Sequence, residues 1–208
     1  MIPLFVDLTA KRIVIFGGGE VAARKAAYFA READVQVVSR SFSKRMAVLP
    51  VRRTVMDVAC ATEAELEDCL QGVFIGIAAL SDREQNNRVG VVCRRLGILF
   101  NNADGERGDI IIPSALRGKY YTIAVSTDGK SPAVTRFIRE HLEARFSGMD
   151  KMIVLQEHMR QRLKSMEPSQ KRRRELLQKM LHDPAIWEAL SRSPTEAERI
   201  VNQRYLHE

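Results

Sequence analysis

The sequence predicts an α/β fold in which a doubly wound parallel sheet (residues 1–112) is followed by a small α+β block (113–148) and a helical module (149–208). Three observations support this division. In the first part, β-branched runs alternate with helical patterns, as they do in parallel sheets. The second part has two strand patterns with no long helix between them, and the third has only helical patterns. With 208 residues, 45% of them hydrophobic, the chain can bury one good core and a smaller one.

The first part is organised around a strand, a glycine turn, a helix and a second strand within residues 11–40. Apolar, β-branched runs at 13–16 and 35–38 have the length and composition of strands that are buried on both faces. Three consecutive glycines follow the first run, and residues 20–32 then carry apolar side chains at helical spacing. This succession predicts the first unit of a Rossmann-type sheet.

The turn in this unit reads Gly17-x-Gly19-x-x-Ala22, the dinucleotide fingerprint with alanine in its third position. Gly17 allows a tight turn out of the strand, Gly19 leaves room for a pyrophosphate, and Ala22 lets the helix pack closely on the strand. The helix N-terminus adds N–H groups that favour an anion. The motif predicts nucleotide binding, and the alternative is a tight strand-to-helix turn that binds nothing.

The end of the second strand leaves the choice of cofactor open. An acidic residue for the ribose hydroxyls is expected about 20 residues after the glycines. Ser39, Arg40 and Ser41 stand there instead. An arginine beside two hydroxyls indicates either the 2′-phosphate of NADP or a looser grip on NAD, and the alternative is a solvated loop arginine.

The remaining elements of the sheet follow in order. Thr62 and Glu65 predict a capping box at a helix start, and Gly97 predicts a helix end. We expect strands at 2–8, 51–55, 72–79 and 98–100, a short helix within 41–49, and longer helices at 62–69 and 83–96.

The fifth strand ends in Asn101-Asn102-Ala103-Asp104. Parallel sheets bind their ligands at the carboxyl ends of their strands, so the carboxylate of Asp104 is a candidate general base. The alternative is that Asp104 only caps a turn with Gly105.

The chain after the sheet changes in character. Strands are expected at 109–114 and 120–127, before a helix from about 131 to 146 with Pro132 in its first turn. This block is too small to be stable alone and predicts pairing with a second copy of the chain. Further helices are expected at 152–164, 169–181, 184–191 and 195–206. The basic run Lys171–Arg174 indicates a solvated face or a surface that meets an anionic ligand.

Composition excludes several classes of protein. Three cysteines and four histidines lack ligand spacing, so no metal site is expected and the thiols indicate a reducing cytoplasm. No stretch approaches the length of a membrane span, and no secretory signal is expected. The net charge of +7 suggests an anionic partner. With 6% aromatic residues and no known nucleic-acid module, a polyanionic small substrate is favoured over nucleic acid.

Five stretches, in order from Ile2 to about Arg145, resemble the precorrin-2 dehydrogenase family. This family also forms the N-terminal module of siroheme synthases, and some members are sirohydrochlorin ferrochelatases. The stretches are IPLFVDL, IVIFGGGEVAARKA, Asn101–Asp104, IIIPS and AVSTDGKSPAVTRFIRE. The C-terminal helices fit the family's helical module in position and size, although no motif is recognised in them.

The resemblance implies oxidation of precorrin-2 to sirohydrochlorin with NAD, in a homodimer formed through the block at 113–148. It matches Asp104 to the family's catalytic aspartate, while Leu80 stands where a threonine is common. The candidates for cofactor binding are Gly17, Gly18, Gly19, Glu20, Val21, Ser39, Arg40, Ser41, Phe42, Ala78 and Ala79, and those for substrate binding are Asn102, Ser126 and Thr127.

Two other functions stay open on the sequence. One is a bifunctional enzyme that also inserts Fe²⁺ or Co²⁺ into sirohydrochlorin, with the same carboxylate accepting pyrrole protons. The other is a nucleotide-sensing regulatory module without catalysis, for which Asp104 would be dispensable. Precorrin-2 carries acetate and propionate side chains, so a basic chain would attract it.

Overall fold

The computed structural model describes residues 1–206 and divides the chain into two compact units, Met1–Ile112 and Pro113–Glu208. In the first unit, strands and helices alternate along the chain. The strands are β1 (Arg12–Phe16), β2 (Asp34–Ser39), β3 (Arg52–Val55), β4 (Ile75–Ala78) and β5 (Leu99–Asn102). The helices are α1 (Glu20–Phe29), α2 (Lys44–Ala47), α3 (Glu63–Leu70) and α4 (Arg83–Arg95).

The five strands form one sheet in the order β3-β2-β1-β4-β5, and all neighbouring pairs are parallel. Ile13 and Ile15 of β1 pack on the face that α1 covers, whereas Val14 and Phe16 pack on the face of α3 and α4. All four side chains are fully buried, which explains the continuous apolar run. The predicted doubly wound, Rossmann-type sheet is confirmed.

Local signals set the helix boundaries. Thr62 and Glu65 form the predicted capping box at the start of α3. The carboxylate of Asp82 accepts hydrogen bonds from the N–H groups of Glu84 and Gln85 at the start of α4. Gly97 follows α4 with φ +68°, a conformation that favours glycine.

Two strand predictions are wrong. Residues 2–8 contain no strand, and Ile2 and Phe5 are 84% and 77% exposed. Their apolar pattern is that of a strand, but within residues 1–206 no strand pairs with them, and the carbonyl of Leu8 accepts only a turn hydrogen bond from the N–H of Lys11. Residues 109–112 are also not a strand: the N–H of Ile110 donates to the carbonyl of Phe100 in an isolated contact with β5.

The second unit begins with an antiparallel pair, β6 (Ser114–Arg117) and β7 (Thr122–Val125), and the helix α5 (Pro132–Arg145). None of the residues in these three elements is buried. The helices α6 (Met149–Met166), α7 (Gln170–His182), α8 (Pro184–Arg192) and α9 (Pro194–Tyr205) share a core that includes Met159, Met180 and Ile186. Across the described part of the chain, no helix is both long and apolar enough to cross a membrane.

Candidate functional site

A cavity of about 760 Å³ opens at the carboxyl edge of the sheet in the first unit. Four loop segments line it: residues 17–21 after β1, 39–43 after β2, 56–59 after β3, and 79–82 with Gln85 after β4. This edge is where doubly wound sheets bind nucleotides. Nearly all of the predicted cofactor residues therefore lie around one opening.

The three glycines of the turn differ in what surrounds them. Gly17 has φ +121°, and a Cβ there would overlap the carbonyl oxygen of Ala79. A Cβ on Gly18 would overlap the carbonyl oxygen of Ser41. A Cβ on Gly19 would meet no atom within 4 Å. The fold itself thus requires the first two glycines, whereas Gly19 leaves open space into which a ligand can come close.

The start of α1 adds an electrostatic feature to the glycine turn. We refer to residues 17–19 and the first turn of α1 together as the cradle. Gly19 is the N-cap residue and has no side chain with which to cap the first helical turn. The N–H groups of that turn and the helix dipole favour an anion at this position. Glu20 and Val21 are exposed and line the cavity. A pyrophosphate fits this arrangement.

The loop after β2 forms the neighbouring wall. The N–H of Ser43 donates to the carbonyl of Gly18, and Ser43 caps α2 by accepting from the N–H of Met46. These bonds hold residues 39–43 against the glycine turn. The predicted residues Ser39, Arg40, Ser41 and Phe42 all line the cavity.

Asp57, which no sequence motif singles out, also lines the cavity. It follows β3, and the guanidinium of Arg40 lies 3.5 Å from its carboxylate. The second carboxylate oxygen accepts a hydrogen bond from the N–H of Ala59. The cavity wall therefore holds a carboxylate after β3, whereas none follows β2. Only the sheet order, which places β3 beside β2, reveals this.

The predicted residues after β4 fall into two groups. Ala79 lines the cavity, as does Leu80. Ala78 is fully buried, and its carbonyl accepts a hydrogen bond from the N–H of Ala103 at the end of β5. Ala78 therefore joins the two strand ends and does not form part of the cavity wall.

Asn86 links the cavity wall to Asp104. This fully buried amide exchanges two hydrogen bonds with the backbone of Leu80 and donates a third, of 3.0 Å, to the carbonyl of Asp104. Asn86 cannot be singled out from the sequence, because nothing in its position within α4 distinguishes it from a solvent-facing amide. The structure thus ties the backbone of Asp104 to Leu80, which lines the cavity.

The side chain of Asp104 is exposed at the end of β5, outside the lining of the cavity. Within residues 1–206 its carboxylate has no hydrogen-bond or ion-pair partner. The local turn is instead closed by Asn102, whose Oδ1 accepts a hydrogen bond of 3.2 Å from the N–H of Asp104. The alternative in which Asp104 caps the turn with Gly105 is not what the structure shows, and the carboxylate is available for chemistry.

Asn102 itself is engaged within the loop. Besides accepting from Asp104, its amide donates to Oδ1 of Asn87 and to the carbonyl of Glu106. On the α1 side of the sheet, the ammonium of Lys25 donates a 2.7 Å hydrogen bond to Oδ1 of Asn101. Burial, and to a smaller extent the charge of Arg24, lowers the pKa of Lys25 from 10.5 to about 8.

Ser126 and Thr127 lie in the turn before α5, in the second unit. The hydroxyl of Thr127 accepts from the N–H of Ser131 and donates to its carbonyl, so it is used within the turn. The hydroxyl oxygen of Ser126 accepts from the N–H of Asp128, and among the described residues its proton has no acceptor. Over the described residues, no His, Cys, Asp and Glu side chains group into a metal-binding cluster.

Comparison with known proteins covers both units. The family model described as "Putative NAD(P)-binding" matches residues 4–114, and the model described as "Sirohaem biosynthesis protein central" matches residues 122–145. The chain is 36% identical over 201 residues to the precorrin-2 dehydrogenase of Methanosarcina barkeri, covering 94% of this chain and 89% of that protein.

Longer relatives match over part of their length. Siroheme synthase 1 of Klebsiella pneumoniae is 33% identical over 145 residues, which is 69% of this chain and 30% of that protein. Among solved structures, the precorrin-2 dehydrogenase SirC superposes with a TM-score of 0.72 at 24% identity, covering 98% of this chain and all of SirC. The fold, the cradle and the near full-length match agree, and the chain belongs to the precorrin-2 dehydrogenase family.

Proposed function

We propose that this chain oxidises precorrin-2 to sirohydrochlorin with NAD as the hydride acceptor. The observation that carries the proposal is the placement of a glycine-lined cradle and a free carboxylate at one edge of one sheet. Asn86 bonds to the backbone on both sides of this arrangement. Family membership supplies the substrate class.

The residues present fit NAD. Gly19 and the first turn of α1 would hold the pyrophosphate, and the segment 39–43 would lie beside the adenosine. The carboxylate of Asp57 can accept hydrogen bonds from ribose hydroxyls, and it would repel a 2′-phosphate. Because the same carboxylate lies 3.5 Å from Arg40, it also weakens that arginine as a phosphate ligand. These features favour NAD over NADP.

The reaction removes a hydride and a proton from the substrate. NAD, when bound, accepts the hydride. We assign the proton to the carboxylate of Asp104, which is unengaged at a strand end beside the cradle. Asn86 and Asn102 each form a hydrogen bond with the backbone of Asp104, so that the carboxylate projects from a loop held by two side chains. Of the substrate-binding candidates, Ser126 retains a donor for a substrate carboxylate, whereas Asn102 and Thr127 shape their loops.

The proposal includes a homodimer formed through residues 113–148. Support comes from the exposed apolar side chains of α5: Phe137 is 69% and Val134 is 46% exposed. A small α+β block with no buried residue needs a partner surface to be stable. We place the reaction in the cytoplasm, where the three free cysteines would stay reduced.

The test mixes the purified protein with precorrin-2 and NAD and follows NADH and the sirohydrochlorin spectrum. NADH and sirohydrochlorin should appear in equal amounts, and Asp57→Asn should improve the use of NADP relative to NAD. Absence of turnover with either cofactor would contradict the proposal. Separate reactions with sirohydrochlorin and Fe²⁺ or Co²⁺, without NAD, test the chelatase activity, which remains a prediction.

A further inference from the structure

The helical module contains a second cavity, of about 500 Å³, between α6 and α7. Its charged lining residues are all cationic: Arg160 and Lys164 on α6, and Arg173 and Arg174 on α7. Three glutamines and two leucines complete the lining, and no carboxylate side chain belongs to it. We refer to this cavity as the basic groove.

The fold engages only some of the cations of the basic groove, and Lys164 donates a hydrogen bond of 3.3 Å to Oε1 of Gln161. Among residues 1–206, the side chains of Arg160 and Arg174 have no ion-pair or hydrogen-bond partner. Arg173 donates hydrogen bonds of 2.6 Å and 2.9 Å to the carbonyls of Glu167 and Pro168, which fixes its guanidinium in place. Four like charges in one concavity repel one another, so an anion that enters the groove relieves this repulsion.

The groove is compact and has two chemical halves. Arg160 and Lys164 are one helical turn apart, about 6 Å along α6, and Arg173 and Arg174 are consecutive on α7. Leu177 and Leu181 follow on the next turns of α7, where Leu181 is 38% exposed. A ligand that fits would present several carboxylates to the cations and an apolar part to Leu177 and Leu181.

We propose that the basic groove is a docking site for a polycarboxylate tetrapyrrole, distinct from the cradle of the first unit. The choice of this anion rests on the proposed function, because the substrate and product of that reaction carry acetate and propionate groups around an apolar macrocycle. An extended acidic peptide or a nucleic acid would require a longer charged track than the two cations that each helix contributes to the lining of the groove.

Binding can be followed with uroporphyrin, a stable porphyrin that carries acetate and propionate side chains. Trp187 is the only tryptophan of the chain, and its indole N–H donates to the carbonyl of Leu181 at 2.8 Å. Titration of the full-length protein with uroporphyrin, in the presence of NAD, should give saturable quenching of the fluorescence of Trp187. The affinity should fall as NaCl is raised from about 0.05 M to about 0.5 M, because the charges are exposed.

The deciding variant is the double charge reversal Arg160→Glu with Arg174→Glu. It should weaken the groove component of uroporphyrin binding by about tenfold or more and lower the stoichiometry by one porphyrin per chain. The matched control is Lys179→Glu with Arg199→Glu, which makes the same change of charge on exposed residues of the same module outside the groove. The control should keep the wild-type affinity.

Three results would overturn the groove assignment: unchanged binding in the groove variant, an equal loss in the control variant, or displacement of uroporphyrin by polyglutamate or oligothymidylate at matched charge. Turnover of precorrin-2 is measured in parallel and should be retained by the groove variant at saturating substrate. Failure of wild-type turnover would contradict the proposed function alone, whereas failure of groove binding would leave that function standing.

Discussion

At the scale of single residues, the glycine turn separates what the fold needs from what a ligand needs. Gly17 and Gly18 are required because a side chain at either would overlap a carbonyl oxygen of the protein. Gly19 adopts extended backbone angles that any residue can take, and nothing surrounds its Cβ position. A glycine at position 19 is therefore needed for ligand binding and not for folding.

This difference makes a prediction for Gly19→Ala. The free energy of unfolding should change by no more than about 1 kcal/mol, since the conformation is accessible to alanine. The dissociation constant for NAD should rise about tenfold or more, because the methyl group keeps the pyrophosphate from the backbone. Thermal melts and NAD titration check both. Gly18→Ala, the matched variant, should lose stability, and equal stability losses in both variants would contradict this distinction.

Lys25 makes a prediction about pH. The folded protein lowers the pKa of Lys25 to about 8, so its charged form is disfavoured in the folded state. An unfolded lysine keeps its proton to about pH 10.4, so between these values the unfolded state binds more protons and the contribution of Lys25 to stability rises with pH. The full cost of burying the charge applies below pH 8.

The measurement compares Lys25→Met with the wild type in denaturant melts from pH 7 to about pH 10. Methionine also leaves the Oδ1 of Asn101 without its donor, but that cost does not depend on pH. Relative to the wild type, the variant should lose stability as the pH rises. Arg24→Met, which removes the exposed neighbouring charge, should show a smaller change of stability with pH relative to the wild type. A constant difference across this range would contradict the assignment.

At the scale of elements, the packing of α4 on β5 depends on a glycine in mid-helix. A Cβ on Gly90 would lie 2.5 Å from the ring of Phe100, which is 1% exposed. Gly90→Ala should therefore destabilise the protein by about 1–2 kcal/mol, although alanine is the better helix former. Unfolding in urea measures this loss. Adding Phe100→Leu should recover part of the loss, and additive losses in the double variant would show that the two residues do not share the contact.

The elements also show where sequence patterns suffice. The run at 13–16 is buried on both faces, so its pattern alone identifies β1, and the box of Thr62 and Glu65 identifies the start of α3. Residues 2–8 are also mostly apolar, but a strand needs a neighbouring strand with which to form hydrogen bonds. The apolar pattern alone does not show whether such a neighbour exists. The cradle was predictable because its residues follow a local motif.

The rest of the site depends on contacts between distant parts of the chain. Asp57 reaches the cavity because β3 lies next to β2, and Lys25 bonds to a residue 76 positions later. Asn86 looks like any polar residue of a helix until the fold places it between Leu80 and Asp104. Such contacts cannot be deduced from spacing along one sequence.

At the scale of the whole molecule, the proposed dimer covers the exposed apolar face of α5 with a second copy of the chain. Phe137→Glu should raise the dimer dissociation constant by about tenfold or more, because it places a charge in the apolar face that we assign to the interface. Sedimentation velocity over a range of concentrations measures this effect. The matched control is Val48→Glu, at an 81% exposed position of the first unit, which should leave the dimer intact. A wild-type chain that sediments at 23.6 kDa would contradict the dimer.

The joint action of the cradle and Asp104 is tested most directly by turnover of precorrin-2 in Asp104→Asn, with NAD binding measured on the same sample. The amide keeps the shape of the side chain but cannot accept the proton, so kcat/KM should fall by about 10²–10⁴. Asp104 lies outside the cavity lining, so the affinity for NAD should stay within about twofold of wild type. Turnover at the wild-type rate in this variant would contradict the assignment of Asp104 as the base.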